Sequence, residues 1–352
     1  MGGYLVLGAG AIGGWLAHHL SAHGRRVTVV DTDADHVTAI REHGLTLLRP
    51  DGSRDSRPVA GASVPDDVAE GPYERVLLAT KAHHVDAAAR WLAGRLHPRG
   101  LVVLCQNGDT FFDAARHLGA ARVAPAFVNF AADVVEPGVI RVGGPGQMVI
   151  GHDGGVKGLR VRSVVVDLAG FGRVTASDNV PGFLWAKRGV AAIFAATAMV
   201  DEHISDVIDT SRPVMSRLAT EVYVVAAARG IRLEEIDGIV AADLTIDADP
   251  AARTAAFDRL VAFTRSMTGK PRSGVFRDLA VHRRPTEARP ELLRLVEQAG
   301  AGGLVAPVLR GLAELIGDLE AGRRDFGREN LDVLARIAAE NPRNDNGKDV
   351  TS

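Results

Sequence analysis

Short apolar runs separated by polar breaks fill the first half of the chain, whereas the second half repeats its apolar positions at helical spacing. The first run, Tyr4–Leu7, stops at Gly8-Ala9-Gly10-Ala11-Ile12-Gly13-Gly14. A helical pattern then passes through Trp15, Leu16, His19 and Leu20, and Gly24 separates it from a second apolar run, Val27–Val30, that ends at Asp31. Runs of this length with β-branched residues predict strands, and the intervening period predicts a helix. Further strands are expected at Arg75–Ala79 and Leu101–Leu104, with a helix over Val85–Leu96 between them. Val123–Gly151 is broken by Glu136-Pro137-Gly138 and by Gly143-Gly144-Pro145-Gly146, which predicts a hairpin-rich end to the sheet. The run Val164–Val166 is too short for its period to decide between strand and helix.

From Phe183 onward the spacing predicts helices at Phe183–Val200, Arg212–Ala228, Ala251–Arg265, Pro290–Gly300 and Pro307–Ala321. The fold expected is therefore α/β, an N-terminal Rossmann domain followed by an all-α domain. A polar cluster of Asp178, Asn179, Pro181 and Gly182 marks the boundary, giving a dinucleotide-binding domain over 1–172 and a helical substrate and dimerisation domain over 180–338. Residues 340–352 are polar and expected to be disordered.

The chemistry begins at the glycines. A lone G-x-G-x-x-G is weak, but here it follows a strand and opens a helix within a strand–helix–strand unit. Gly8 permits a tight turn, Gly10 lets the backbone approach a pyrophosphate, and Gly13 lets helix and strand pack closely. With Ala11 and Ile12 at the start of the helix, where free N–H groups point at an anion, these residues form the expected cofactor set. Asp31 lies eighteen residues after Gly13 at the end of the second strand. A carboxylate there accepts from ribose hydroxyls and repels a 2′-phosphate, favouring NAD, with NADP the alternative. Asp31 also reads as a simple turn residue, because Thr32 or Asp33 would cap the next helix equally well.

Two further strand ends carry polar groups. Thr80-Lys81 follows one, and Gln106-Asn107-Gly108 follows the next, on the side where open α/β sheets bind ligands. Lys81 is a cofactor-side cation or a solvated loop lysine; Asn107 is a site residue or a turn-forming Asn before Gly. His83 and His84 lack partners at metal-ligand spacing, and no metal is expected. Lys187 stands in apolar company, after Phe183 and Trp185 and before a run of Ala, Val, Ile and Phe. Desolvation would lower its pKa and ease proton donation, unless its stem merely covers apolar surface while the ammonium reaches water.

Composition changes this picture little. The chain has 352 residues, 41 basic and 43 acidic, and a net charge of −2, with no basic runs to suggest nucleic acid or an anionic membrane as partner. Cys105 is the single cysteine, which excludes an intramolecular disulfide, suits a cytoplasmic location, and reads as a buried core thiol. No leader is expected before the first strand, and no apolar run reaches the ~20 residues of a membrane span.

These residues, taken together, resemble the ketopantoate reductase (2-dehydropantoate 2-reductase) family over about residues 1–320. The motifs are GAGAIGG at 8–14, TK at 80–81, QNG at 106–108, EPGVIRVGGPG at 136–146, W-A-K at 185–187, E-x-x-x-V-A-x-A-x-G-I from Glu221 to Ile231, and RDLAVHRRPTE from Arg277 to Glu287. The resemblance implies hydride transfer from the cofactor to the carbonyl carbon of a 2-oxo acid. It implies Lys187 as general acid, Asn107 orienting substrate and nicotinamide, Lys81 as an active-site cation, and Glu287 as the carboxylate that contacts the ligand and faces the lysine.

The chain also departs from the family pattern. Ala191 and Ala195 stand one and two turns after Lys187, where family members usually carry Asn. The stretch Ser273-Gly274-Val275-Phe276-Arg277-Asp278 differs from the usual paired Ser and Met, with one residue more between Asp278 and Glu287. Asp31 replaces a basic residue typical of NADP users. All three departures touch ligand recognition, so the expected activity is reduction of a 2-oxo acid other than ketopantoate, by a divergent member. Arg188, Ser273 and Arg277, with Ala191 and Ala195 lining the pocket, are the candidates around a substrate carboxylate. The competing readings are an NADPH-dependent ketopantoate reductase, an opine-type dehydrogenase acting on an imine, and a non-catalytic NAD-binding sensor. A homodimer is expected.

Overall fold

The computed structural model describes residues 3–68, 71–108, 110–144, 146–152, 155–266 and 272–342. The expectation of a disordered tail falls, beyond residue 342, outside the described residues, as does Pro145. The chain divides into two compact units, residues 1–180 and 181–352.

The first unit runs β1 (Tyr4–Leu7), α1 (Ala11–Ala22), β2 (Val27–Val30), α2 (Ala34–His43), β3 (Leu45–Leu48), β4 (Arg54–Arg57), β5 (Gly61–Ser63), β6 (Tyr73–Leu78), α3 (Val85–Ala93), β7 (Leu96–Leu104), α4 (Phe111–Leu118), β8 (Val123–Asn129), β9 (Ala132–Glu136), β10 (Val139–Val142), β11 (Gln147–Gly151), α5 (Gly155–Asp167) and β12 (Arg173–Ser177). Eight strands form one sheet in the order β12-β11-β8-β7-β6-β1-β2-β5. Strands β5, β2, β1, β6, β7 and β8 are mutually parallel. That is the doubly wound Rossmann order, and its reversal point lies at β1, between β2 and β6. Strands buried on both faces need no polar alternation, which is why β1 and the end of β7 read as unbroken apolar runs and β2 is broken only at Thr28.

The hairpin expected over 123–151 is split differently. β8 and β11 belong to the main sheet, as an antiparallel pair. β9 and β10 pair instead with β3 and β4 in a separate four-stranded sheet, ordered β4-β3-β10-β9. This second sheet covers the face of α1 turned away from the main sheet: Gly14 packs on Ile140 of β10 and Leu45 of β3. α1 is buried nearly all round in consequence, including His18 and His19. Burial holds the His19 imidazole down to about 4, with His23 adding to the effect, and burial also lowers His18, whose Nε2 lies 3.0 Å from the Asp55 carbonyl oxygen on β4. The undecided run at Val164–Val166 belongs to the last turn of α5.

At the amino end of the parallel sheet a buried carboxylate ties three elements together. Asp167 accepts from the Tyr4 hydroxyl (2.7 Å) and from Arg75 (3.0 Å), and pairs with Arg25 (2.7 Å). Cys105 is buried as expected, and desolvation pushes its thiol up to about 12, so it stays protonated.

The second unit is helical: α6 (Val180–Thr197), α7 (Ile204–Thr210), α8 (Arg212–Ala228), α9 (Pro250–Ser266), α10 (a single turn, Gly274–Phe276), α11 (Ala288–Ala301), α12 (Pro307–Glu320) and α13 (Glu329–Glu340). α7 and α13 were not among the helices expected from spacing. α6 and α8 are locked by one close contact. Gly189 leaves room for the Tyr223 ring, which a Cβ would overlap, and the Tyr223 hydroxyl donates to the Ala186 carbonyl at 2.9 Å. Glu221 is buried and caps a neighbouring helix: its two oxygens accept from Val308 N–H (3.1 Å) and Leu309 N–H (2.8 Å) at the start of α12. Pro307 at the first helical position has no N–H to satisfy, so this carboxylate serves the two donors that remain. Among the described residues, no helix is long and apolar enough to cross a membrane.

Candidate active site

In the first unit the candidate residues gather at the carboxyl end of the parallel strands. Gly8 has φ +92°, and a Cβ there would fall 2.6 Å from the Thr80 amide nitrogen, so only glycine closes the turn against β6. A Cβ on Gly13 would overlap the Gly8 carbonyl oxygen, which sets how closely α1 approaches the turn. Gly10 is the opposite case, with nothing within 4 Å of its Cβ position. The glycine there is not required by the protein's own packing; it keeps open the space beside the N-terminus of α1, which starts at Ala11 and Ile12. That contrast fits a dinucleotide pyrophosphate.

Asp31 is half-buried, and both its oxygens accept backbone N–H bonds, from Ala9 at 2.7 Å and from Asp33 at 3.0 Å. The carboxylate is thus fixed at the end of β2 and braces the glycine turn itself. Each oxygen keeps a second lone pair, so the ribose role remains open to it. Asp33 caps α2 by accepting from His36 N–H at 3.0 Å.

Two groups at neighbouring strand ends were missed as site residues. Gln106 is buried, and its Nε2 donates to the Leu78 (2.8 Å) and Thr80 (3.1 Å) carbonyls, tying the end of β7 to the end of β6. Its Oε1 and the Thr80 hydroxyl are buried with no hydrogen-bond partner. Two orphaned polar atoms beside the glycine turn suit a polar ligand there. Lys81 and Asn107 are exposed just beyond β6 and β7.

In the second unit Lys187 lies in the third turn of α6, part-buried. Burial lowers its pKa from the ordinary lysine value to about 8, and the Asp237 carboxylate partly offsets this by favouring the charged form. Asp237 occupies the tip of a two-residue turn, Asp237-Gly238, with φ +48° and +79°. The flanking isoleucines exchange both backbone bonds, Ile236 N–H to Ile239 O (3.1 Å) and the reverse (2.8 Å). Positive φ at both central positions is the type I′ signature, for which Asp-Gly is well suited. No sequence signal linked this turn to Lys187.

Ala191 and Ala195 follow Lys187 on one side of α6; Ala191 is exposed and Ala195 buried. Arg188 is occupied in a different way from a substrate clamp: it is buried, its Nε is 2.9 Å from Glu291 on α11, and its guanidinium lies 4.6 Å over the Trp185 ring. Ser273 caps α10 by accepting from Phe276 N–H at 3.2 Å. Arg277 starts a π-helical turn, Arg277–Val281, closed by His282 N–H to Arg277 O at 2.9 Å. A π turn takes up one residue more than an α turn. Glu287 is exposed immediately before α11, where Thr286 makes the helix cap by accepting from Arg289 N–H. Among the described residues, no three His, Cys, Asp or Glu are grouped so as to hold a metal.

Family models describe both units: Ketopantoate reductase PanE/ApbA matches residues 4–155, and its C-terminal model matches residues 182–320. The chain belongs to the ketopantoate reductase family. Within it, a 2-dehydropantoate 2-reductase of Halobacterium salinarum is 30% identical over 318 residues, covering 89% of this chain and 97% of that one. A 2-dehydropantoate 2-reductase of Mycobacterium tuberculosis is 28% identical over 261 residues, 72% of this chain and 78% of its own. The crystal structure of a PanE/ApbA family ketopantoate reductase from Ralstonia eutropha superposes with a TM-score of 0.74 at 25% identity, over 91% of this chain and 99% of that one. D-mandelate dehydrogenase in ternary complex with NADH and anilino(oxo)acetate shares the fold, at TM-score 0.74 and 18% identity over 91% and 99% of the two chains. The cofactor is a nicotinamide dinucleotide, NAD or NADP, and the open space beside Gly10 with the orphaned polar atoms of Gln106 and Thr80 could hold it.

Proposed function

We propose that this ketopantoate reductase family member is an NADH-preferring reductase of a 2-oxo acid more apolar than ketopantoate, with Lys187 as the general acid. The observation that carries the reading is the state of Lys187, brought by burial to a pKa of about 8. A group with that pKa is charged at neutral pH and gives up its proton more readily than a free lysine. When bound, the nicotinamide supplies a hydride to the carbonyl carbon. Lys187 hydrogen-bonds the carbonyl oxygen, stabilises negative charge as it develops there, and donates the proton that completes the hydroxyl. Asp237 favours the charged, proton-bearing form before each turnover. Glu287 and Asn107 are assigned to substrate contact by motif, and Lys81 to the cofactor side. Arg277 is the remaining candidate for the substrate carboxylate. Arg188 and Ser273 are given structural roles, since Glu291 and Phe276 N–H engage them. The enzyme is proposed to act as a homodimer.

The substrate assignment rests on Ala191 and Ala195. Two methyl groups in place of two amides remove donors that a hydroxylated substrate would use, and leaving such a substrate unpaired is costly. The NADH preference rests on Asp31 and the absence of a basic residue at Thr32 or Asp33. The reading that the Halobacterium salinarum relative favours is reduction of ketopantoate itself.

Rates of NADH and NADPH oxidation with a panel of 2-oxo acids that includes ketopantoate decide between them. NADH-dependent turnover of an apolar oxo acid with ketopantoate inert is the expected result. Fast NADPH-dependent turnover of ketopantoate would overturn the substrate and cofactor assignments together. Asp31→Asn, which keeps an acceptor for the Ala9 amide, is expected to raise the NADPH-to-NADH ratio of kcat/KM about tenfold by removing charge repulsion.

A further inference from the structure

His36 is 4% exposed, in the first turn of α2, and its ring bridges two segments of the first unit. Gly138 N–H donates to Nδ1 at 3.0 Å, and Nε2 lies 3.0 Å from the Ala9 carbonyl oxygen. The chemistry of the partners sets the tautomer. An amide N–H only donates, so Nδ1 is the acceptor; a carbonyl only accepts, so Nε2 carries the hydrogen. The imidazole is therefore neutral and held at both nitrogens.

Ala9 is the residue between the first two glycines of the turn. Its N–H is taken by Asp31 and its carbonyl by His36, so both peptide planes around it are fixed by side chains, one from the residue after β2 and one from α2. The Ala9 carbonyl belongs to the Ala9–Gly10 peptide, whose other end is the Gly10 nitrogen at the mouth of α1. Rotating that peptide would tilt Gly10 and the open space beside it. Gly138, at φ +75° in the Glu136-Pro137-Gly138 turn, anchors the other side of the ring, and a Cβ there would press on Ala39 of α2 at 3.3 Å. The second sheet thereby reaches the cofactor turn through one imidazole.

We propose that His36 is a positioning residue of the dinucleotide site: by fixing the Ala9–Gly10 peptide from behind, it preorganises the glycine turn for the pyrophosphate. The proposal rests on the cofactor reading of that turn. A turn already ordered before binding loses less entropy when the ligand arrives.

His36→Asn is the informative variant, because Asn can place an acceptor near the former Nδ1, keeping Gly138, but is too short to reach Ala9. The expected result is a melting temperature close to wild type, NADH bound about tenfold more weakly by fluorescence titration, and a raised KM for NADH with kcat preserved. Amide hydrogen exchange over residues 8–14 of the unliganded protein is expected to quicken in the variant, with exchange elsewhere unchanged. His36→Gln, longer and able to donate to Ala9, is expected to recover part of the affinity. Unchanged NADH affinity and unchanged exchange in a folded His36→Asn protein would overturn the proposal. Should His36→Asn fail to fold, His36→Leu, which fills the same space without hydrogen bonds, decides: weaker NADH binding with quicker exchange confined to 8–14 supports the proposal, and wild-type affinity with wild-type exchange overturns it. If the wild-type protein binds neither NADH nor NADPH, the cofactor reading falls first, and with it the proposal, whatever the exchange shows.

Discussion

The glycine turn of the first unit and the lysine of the second are made in opposite ways. The turn is built from backbone. Its shape follows from the missing side chains of Gly8 and Gly13, and nearly every polar group that braces it is satisfied within about thirty residues of sequence: Gly8 N–H by the Val30 carbonyl, Ala9 N–H by Asp31 and the Ala9 carbonyl by His36. Lys187 is an ordinary residue on an ordinary helix, and its chemistry comes from its surroundings: the burial that lowers its pKa and a carboxylate fifty residues away. A site made of backbone geometry tolerates almost no change at its glycines, whereas a site made of environment can be retuned by neighbours that never touch the substrate.

The comparison is broken most severely at the proposed general acid. Lys187→Ala is expected to lower kcat for carbonyl reduction by about two to four orders of magnitude while the NADH dissociation constant stays within about twofold. Stopped-flow reduction alongside fluorescence titration separates the two, and a variant with intact turnover would show that another group is the acid. Gly10→Val tests the other half. Its side chain enters space that the protein leaves open, so the melting temperature should hold while NADH affinity falls about a hundredfold. Loss of stability without loss of affinity would mean that Gly10 serves folding and not the cofactor.

The smallest effect concerns pH. With Lys187 as the proposed general acid, reduction needs it protonated, so its rate should be full below about pH 8 and fall about tenfold per unit above it. The sign for stability is the reverse. The folded-state pKa lies below the ordinary lysine value, so between about pH 8 and about pH 10 the unfolded chain binds the proton that the folded one does not. Stability contributed at this site therefore rises with pH across that window. Asp237→Asn removes the carboxylate that favours the charged lysine, while Asn retains the tolerance for positive φ that the turn needs. The alkaline limb of the rate profile should move to lower pH by about half to one unit. A profile that does not move would detach Asp237 from the lysine.

The sequence by itself determined the fold of each unit and the cofactor turn. Gly8, Gly10 and Gly13 act through the local backbone, and the parallel strands announce themselves because burial on both faces leaves continuous apolar runs. Helices α6, α8, α9, α11 and α12 were legible for a similar reason, since apolar period is a local property. α7 is too short, at seven residues, for a period to show, and α13 lies beyond the last stretch in which helical spacing was expected, although Leu331 and Leu334 give it a buried apolar face. What only the tertiary structure decided are the pairings between distant segments. β9 and β10 read as a hairpin, but which sheet they join depends on the pairing of β10 with β3, some ninety residues earlier. Glu221 looked like part of a functional motif and is the cap of a helix that begins at Pro307. His36 and Asp237 carried no signal at all, because a histidine in a first helical turn and an Asp-Gly in a loop are common. Each takes its role from a long-range interaction, His36 by its contact with Gly138 and Asp237 by its charge near Lys187, and local pattern holds no information about which residues folding will bring together.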